Sequence, residues 1–508
     1  MTSKAPPVGP RVLEGVQWNL LGQGAVLAAN LLITPYLVAR LGSDGYGLYT
    51  LMWTLAGYLM VLNFGTVVAV QKFCAQHLGC GPGGPLGGLL RRTLAFELAM
   101  ALIGGALLWS ARAWISGSFL KISPELAPKA SSVFAFVAAS AAPYFALQFA
   151  LNVLYGTQRF KAWNLLTTLQ SLAVSLCALA LLSLGHGIRA VAASFLFSHA
   201  ALAAAGLWLV RDTLLQKSRP DPRENREFIR FSGKSLASYL MWIVTFQGDR
   251  VFIGSLLPLS QIGFYAVSST LAQKFNMLCG AVTAAAFPLL TELHGRGEEE
   301  RLRRLYLKGT ELSLFLILPI SVLSFALAPQ FMTLWLGADF SAASTWPFRL
   351  LVLANLAYLA TYLPNSAAIG RGFPELSAYL MGAKALVVLL LWPLVIPRWG
   401  ILGAAAGLLA AEWLVVPVFL TFVHRRHLGL TWAEFLDQGC RRPFLSALVL
   451  AAVSLAFHGQ VQGWAGLLCF GGAGLALYWG AGYAVMEEND RRILRDWSRA
   501  KLSRGRSA

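Results

Sequence analysis

Five ionisable side chains stand inside stretches that are otherwise apolar: Asp249, Arg250, Lys274, Lys384 and Glu412. A charge at the centre of a bilayer costs at least about 2.5–3.5 kcal/mol, so such residues are kept where they pair, bind an opposite charge or serve transport. Asp249 and Arg250 are adjacent in "VTFQGDRVFIGSLLP" (244–258). Neighbours on a helix point about 100° apart, so the two cannot pair with each other and share one face. At least one must find a partner elsewhere or face water. Lys384 and Glu412 fall at similar depths in consecutive apolar stretches and are candidates for a buried ion pair or an ion-coupling site, as is Asp249 with a partner on another helix. Lys274 has no acidic residue at a matching depth nearby in the chain. A water-filled cavity lined by cations accounts for it best, which makes Arg250 and Lys274 the candidate substrate-binding residues. Glu97 is expected near the inner end of its helix, close to Arg91 and Arg92.

Other motifs carry no chemistry. "FSGKS" (231–235) contains Gly-Lys-Ser, but a phosphate-binding loop needs a further glycine where Phe228 stands, and a strand to launch it. "HRRH" (424–427) puts two arginines between the histidines, which would repel a metal. The six cysteines are scattered and none has CxxC spacing, which argues against metal sites and disulfide frameworks. No Ser, His and Asp sit at a common depth for hydrolysis. The expectation is no catalytic residue, no metal and no cofactor.

These residues need a frame, and composition defines it. Of 508 residues 57% are apolar and 13% charged, about half the charged share of a soluble domain. Apolar runs of about 20 residues, each long enough to cross a bilayer as a helix, recur along the chain. The fold class is all-α polytopic membrane protein. Fourteen spans are expected, near 16–39, 48–70, 93–111, 131–154, 163–184, 190–210, 234–256, 264–289, 311–331, 348–368, 376–396, 401–423, 443–458 and 463–485. The first of them is too long for a cleavable signal. Prolines 35, 143, 288, 319, 364 and 417 fall within spans and favour kinks. With the N-terminus placed inside, 31 of the 41 Lys and Arg fall on that side and six on the other, four lying in or at the edges of spans. That asymmetry supports the span count, and it places both termini in the cytoplasm. The net charge of +18 is therefore a topology signal rather than a nucleic-acid site.

The chain also repeats itself. Span 1 leads into "LGSDGYGLY" (41–49) and span 7 into "LPLSQIGFY" (257–265); span 4 leads into "YGTQRF" (155–160) and span 10 into "IGRGF" (369–373). The offsets, about 216 and 214 residues, nearly agree. Six spans per repeat give parallel halves, a plan in which secondary transporters place substrate near the midplane. The expected organisation is an N-lobe (1–210), a basic cytoplasmic linker (211–232), a C-lobe (233–423), a cytoplasmic loop with two further helices (424–486) and a basic tail (487–508).

"WNLLGQGAVLAANLLITPYLVARLGSDGYGLYTL" (18–51) resembles the start of bacterial polysaccharide biosynthesis flippases, the O-antigen and exopolysaccharide transporters. Their superfamily, the multidrug/oligosaccharidyl-lipid/polysaccharide exporters, also holds multidrug extruders and the lipid II flippase. "GDRVFIGSLLPLSQIGFYAVSSTLAQKF" (248–275), "AAAFPLL" (284–290) and "LPNSAAIGRGFPELSA" (363–378) resemble the family's second half. The resemblance implies two six-helix lobes with alternating access that move a polyprenyl-pyrophosphate-linked oligosaccharide to the outer leaflet of the bacterial cytoplasmic membrane. The expected partners are that lipid-linked oligosaccharide, membrane lipids, and a polysaccharide polymerase and glycosyltransferases of the pathway. A cationic cavity at Arg250 and Lys274 suits a pyrophosphate. One departure concerns span 2, where relatives carry an Asp and an Arg and this chain reads "LNFGTVVAVQK" (62–72). The alternatives are a cation-coupled multidrug extruder, a membrane polymerase or ligase of polysaccharide, and a scaffold that recruits glycosyltransferases. Extruders would use cavity carboxylates, and polymerases a large external loop with catalytic Arg or His.

Overall fold

The computed structural model describes residues 8–77, 86–216, 222–373 and 375–485. Residues 217–221 of the linker and the basic tail 487–508 lie outside the described residues. Every regular element described is helical: α1 (Val8–Leu59), α2 (Thr66–Gln76), α3 (Leu86–Trp114), α4 (Ala127–Gly156), α5 (Phe160–Ser183), α6 (Ile188–Leu214), α7 (Pro222–Leu256), α8 (Leu259–Gln273), α9 (Asn276–Gly295), α10 (Glu299–Ala326), α11 (Ala328–Leu336), α12 (Ala338–Leu359), α13 (Tyr362–Gly370), α14 (Glu375–Val423), α15 (Trp432–Glu434), α16 (Arg441–Phe457) and α17 (Gly463–Val485). Hydrocarbon offers the backbone no partners, so a chain this apolar closes its hydrogen bonds inside helices.

Ten stretches among the described residues are long and apolar enough to cross a membrane. Two of them reverse at a single glycine. Gly42 (φ 70°) splits α1, and Gly400 (φ 58°) splits α14. The reversal in α14 is tight enough that Trp392 Nε1 donates to the Ala404 carbonyl at 3.1 Å, and a Cβ on Gly403 would meet the Val395 carbonyl at 2.3 Å. Those two hairpins, together with α7 and the interrupted pair α12–α13, bring the crossings to fourteen.

The chain divides into two compact units, Met1–Val267 with Ala385–Ala404, and Ser268–Lys384 with Ala405–Ala508. In the first, α4 is the centre. Its Phe134, Phe145 and Phe149 are fully buried, and small residues let neighbours approach. A Cβ on Gly105 of α3 would meet the Ala138 carbonyl at 2.7 Å, and one on Gly206 of α6 would meet Ala150 Cβ at 2.9 Å. In hydrocarbon, close backbone packing of this kind replaces the hydrophobic effect as the force between helices. In the second unit α10 is central. Tyr306 shares a 2.7 Å hydrogen bond with His424, and Glu311 accepts from Lys308 at 3.0 Å and Arg442 at 3.3 Å.

One interruption inside a crossing falls at a proline: the break at Ala360–Thr361 comes just before Pro364, which has no N–H to give the Ala360 carbonyl. Helices α1, α4, α9 and α10 continue through Pro35, Pro143, Pro288 and Pro319. The other two breaks, at Asn63–Gly65 and at Lys274–Phe275, stand away from any proline. One proline removes one hydrogen bond, and a helix in lipid keeps the rest. A residue in the left-handed region, such as Phe64 (φ 54°) or Gly65 (φ 76°), turns the axis itself.

The repeat has a physical counterpart in its glycines. Gly47 and Gly263, 216 residues apart, sit at one crossing point: a Cβ on Gly47 would meet the Leu259 carbonyl at 2.5 Å, and one on Gly263 the Ser43 carbonyl at 2.7 Å. Gly156 and Gly370, 214 apart, end α4 and α13. The first presses on Gln71 and Cys74 of α2, the second on Thr291 of α9.

Beside Gly370 the polar end of the second unit carries a small ion-pair network. Glu299 accepts from His294 at 3.0 Å and pairs with Arg371. Partial burial raises the Glu299 carboxyl's pKa, but the His294 hydrogen bond and the Arg371 charge outweigh it and hold it below the usual range. A depressed folded value contributes stability above the unfolded pKa that is lost as pH falls through the folded one. The unfolding midpoint of wild type is therefore expected to drop more between pH 6 and pH 4 than that of Glu299→Gln. Equal slopes would remove this network from the acid sensitivity.

Candidate functional site

In the first unit α7 brings Asp249 and Arg250 against the second half of α1 and the start of α8. Asp249 is 2% exposed. Its Oδ1 accepts the backbone N–H of Arg250 at 2.7 Å, and the buried Tyr265 of α8 sets its hydroxyl beside the same carboxylate. Arg250 turns another way, its Nη1 donating to Thr54 Oγ1 at 3.4 Å. The Asp249 carboxylate and the Arg250 guanidinium thus meet side chains of different elements, α8 and α1. The Tyr58 hydroxyl donates to the Gln247 carbonyl at 2.5 Å, and a Cβ on Gly57 would come within 3.1 Å of Gln247 Oε1. The half-buried guanidinium of Arg250 thus meets the Thr54 hydroxyl on the helix face that also carries Tyr46 and Tyr58. A guanidinium in such a half-buried setting is a strong partner for an anion.

Sequence reading missed these hydroxyls, although a signal was there. Tyr46, Thr50, Thr54 and Tyr58 recur every four residues and so share one helix face. Thr50 and Thr54 return their own protons to carbonyls one turn back, at 3.0 Å each, so the face looks apolar by composition.

In the second unit the ammonium of Lys384 lies 2.8 Å from Glu412 Oε2, with side-chain exposures of 0% and 1%. It also sits 4.6 Å from the centre of the Tyr358 ring. The two residues belong to the two halves of α14, and the reversal at Gly400 brings them level. Lys274 stands elsewhere in the same unit, at the break between α8 and α9. There the backbone tightens, Lys274 N–H bonding to Leu271 and Phe275 N–H to Ala272, both three residues back. Asn355 Nδ2 takes up the Ala272 carbonyl at 2.9 Å. Half-buried Lys274 makes no side-chain hydrogen bond or ion pair among the described residues. Arg250 belongs to the first unit and Lys274 to the second.

Glu97 departs from expectation. It is 2% exposed in α3 and accepts the Thr66 hydroxyl at the start of α2. Arg91 instead holds the carbonyls of Leu214 and Gln216, and Arg92 that of Gly88. The nearest polar group to Glu97 is thus the interrupted second crossing, where Asn63 Oδ1 also accepts the Gly65 N–H at 2.7 Å.

Residues 90–345 match the family described as polysaccharide biosynthesis protein. A Shigella flexneri protein named for O-antigen transport is 20% identical over 395 residues, covering 78% of this chain and 93% of its own. Membrane protein EpsK of Bacillus subtilis (strain 168) is 23% identical over 462 residues, 86% of this chain and 88% of its own. Among solved structures, the lipid II flippase MurJ in its inward closed conformation superposes with a TM-score of 0.72 at 11% identity, over 93% of this chain and 99% of that one. An inward-facing multidrug resistance MATE family transporter of the MOP superfamily gives 0.59 at 15% identity, over 80% and 94%. Both share the all-helical polytopic fold described above. With half its length matched by the family and its relatives aligned along most of theirs, this chain belongs to the polysaccharide biosynthesis protein family.

Proposed function

We propose that this chain is a flippase that moves a polyprenyl-pyrophosphate-linked oligosaccharide from the inner to the outer leaflet of the bacterial cytoplasmic membrane by alternating access, for O-antigen, capsule or exopolysaccharide. It is a transporter and not an enzyme. The observation that carries the substrate class is Lys274, a half-buried ammonium with no hydrogen bond or ion pair among the described residues, at the interruption of a membrane helix. Broken crossings are where transporters of this type hold charged groups, and an unpaired cation at membrane depth calls for a mobile anion. Arg250, which donates to Thr54 Oγ1, supplies a second positive charge in the first unit. The asymmetry of Lys and Arg between the loops supports a cytoplasmic side for both termini. The polymerase and glycosyltransferases of the same pathway are its functional partners, and Asp249 and the Lys384–Glu412 pair are the groups that would position or couple.

The test is transport in proteoliposomes loaded with a fluorescent polyprenyl-pyrophosphate oligosaccharide. Wild type is expected to translocate it, and Lys274→Ala and Arg250→Ala to fall by about tenfold or more, the loss expected when one charged hydrogen bond of about 1.5–3 kcal/mol is removed. Unchanged flipping in both variants would reduce those charges to structure. Exchange of small cationic drugs for protons or sodium, with no movement of lipid-linked sugar, would replace this reading with that of an extruder.

A further inference from the structure

Three connections of the first unit meet on the side of the bundle away from the basic loops. They carry Arg40 and Asp44 (before and after the Gly42 reversal), Glu125 and Lys129 (at the start of α4), and Arg189 (at the start of α6). Together they line a basin of 680 Å³ whose remaining wall includes Gly42, Gly45, Ser123 and Gly187. The volume lies within the range of small-molecule sites, about 300–1,000 Å³. Only six Lys and Arg lie on this side outside the spans, and three of them converge here.

None of the five charged side chains is held by another. Among the described residues they form no ion pair or side-chain hydrogen bond, and Arg40 only rests 5.5 Å from the centre of the Tyr36 ring. The backbone adds further donors. In α6 the first hydrogen bonds run from Ala190 and Val191 to the Gly187 carbonyl, which leaves the N–H groups of Ile188 and Arg189 without a backbone acceptor. The 27-residue helix α6 and the 30-residue helix α4 both open toward the basin, so the positive ends of two helix dipoles add to the three cations. Phosphate oxygens are the ligands that such donor sets take.

We propose that this basin is an anion site that receives a phosphate- or pyrophosphate-bearing group on the outer side of the membrane. The outward assignment rests on the proposed function; the binding chemistry does not. Two sources share that chemistry, a soluble phosphate compound and the headgroup of an anionic lipid.

The experiment measures binding without transport, so its failure is distinct from failure of the flippase reading. The full-length protein is placed in phosphatidylcholine nanodiscs, and amide hydrogen exchange is followed in residues 40–45, 123–129 and 187–189. Inorganic pyrophosphate is titrated in one arm, and in the other phosphatidylglycerol replaces part of the phosphatidylcholine. Protection by pyrophosphate identifies a soluble ligand; protection by phosphatidylglycerol alone identifies a lipid headgroup. In either case Arg40→Gln/Lys129→Gln/Arg189→Gln is expected to weaken the effect by roughly tenfold or more, and Asp44→Asn/Glu125→Gln to strengthen it by about two- to fivefold, given the modest energies of exposed charge pairs. The acidic pair serves if the triple variant fails to fold. No protection by either probe overturns the site. So does protection that survives the triple variant or is unmoved by the acidic one.

Discussion

Glu412→Ala is expected to destabilise the folded protein by about 3–5 kcal/mol, and Lys384→Ala by a similar amount. Each single change strands a charge where neither side chain has more than 1% of its surface exposed, in a medium that solvates ions poorly. The Tyr358 ring, 4.6 Å from the ammonium, offsets part of the loss for Lys384 when Glu412 is removed, through a cation–π contact of roughly 2 kcal/mol when desolvated. Glu412→Ala should therefore be the milder of the two. The double variant Lys384→Met/Glu412→Gln removes both charges at nearly constant volume and is expected to regain most of the stability. Unfolding midpoints of wild type, Lys384→Met, Glu412→Gln and this double variant in detergent micelles complete the cycle. Additive losses in the double variant would mean that the two residues do not act as a pair. Transport by a stable double variant would make the pair a fixed brace between the halves of α14; a stable double variant that no longer transports would make it part of the coupling machinery.

Much of this architecture is legible because hydrocarbon imposes simple rules. Apolar runs of the right length must be helices, and arginines such as Arg91, Arg159 and Arg425 mark every second connection, so the number of crossings follows from composition and charge. The matched depth of Lys384 and Glu412 is readable for the same reason. The single-glycine reversal at Gly400, which turns equal depth into contact, is not, since a glycine between spans suits a loop of any length. Interruptions within crossings are harder still. Of the six intraspan prolines Pro364 follows a break, at Ala360–Thr361, while the breaks at Asn63–Gly65 and Lys274–Phe275 stand away from any proline. Asn355 accommodates the break at Lys274 from 83 residues away. The hydroxyl face of Tyr46, Thr54 and Tyr58 is hidden for a related reason: threonine that bonds its own helix counts as apolar until a guanidinium arrives from α7. Glu97 shows the limit from the other direction. Its arginine neighbours in sequence suggested a pairing, but Arg91 and Arg92 are occupied with carbonyls, and the carboxyl turns to Thr66.

That last contact makes the interruption of the second crossing the other place where one atom should matter most. Gly65→Ala is expected to lower stability by about 3 kcal/mol and to reduce transport by an order of magnitude. Two effects combine. Gly65 holds φ at 76°, where a side chain is strained and the substitution destabilises by about 1 kcal/mol or more. Its Cβ would also lie 2.2 Å from the Ser232 carbonyl and 2.6 Å from the Leu236 amide of α7. Neither atom is the end of a flexible side chain, so α7 or the break itself must move, at about 1–3 kcal/mol for overpacking. Movement at Gly65 displaces Thr66, the hydroxyl that Glu97 accepts, and leaves a carboxyl buried without its donor. The control is close by. Gly233, the residue after Ser232, has nothing within 4 Å of its Cβ position and no positive φ. In the interior of α7 the same glycine-to-alanine change there should raise stability slightly, by about 0.5–1 kcal/mol. Opposite signs for two identical substitutions on facing helices would place the effect in the break. If Gly65→Ala unfolds and transports like Gly233→Ala, the interruption is not a fixed feature of the fold, and the Thr66–Glu97 contact does not depend on it.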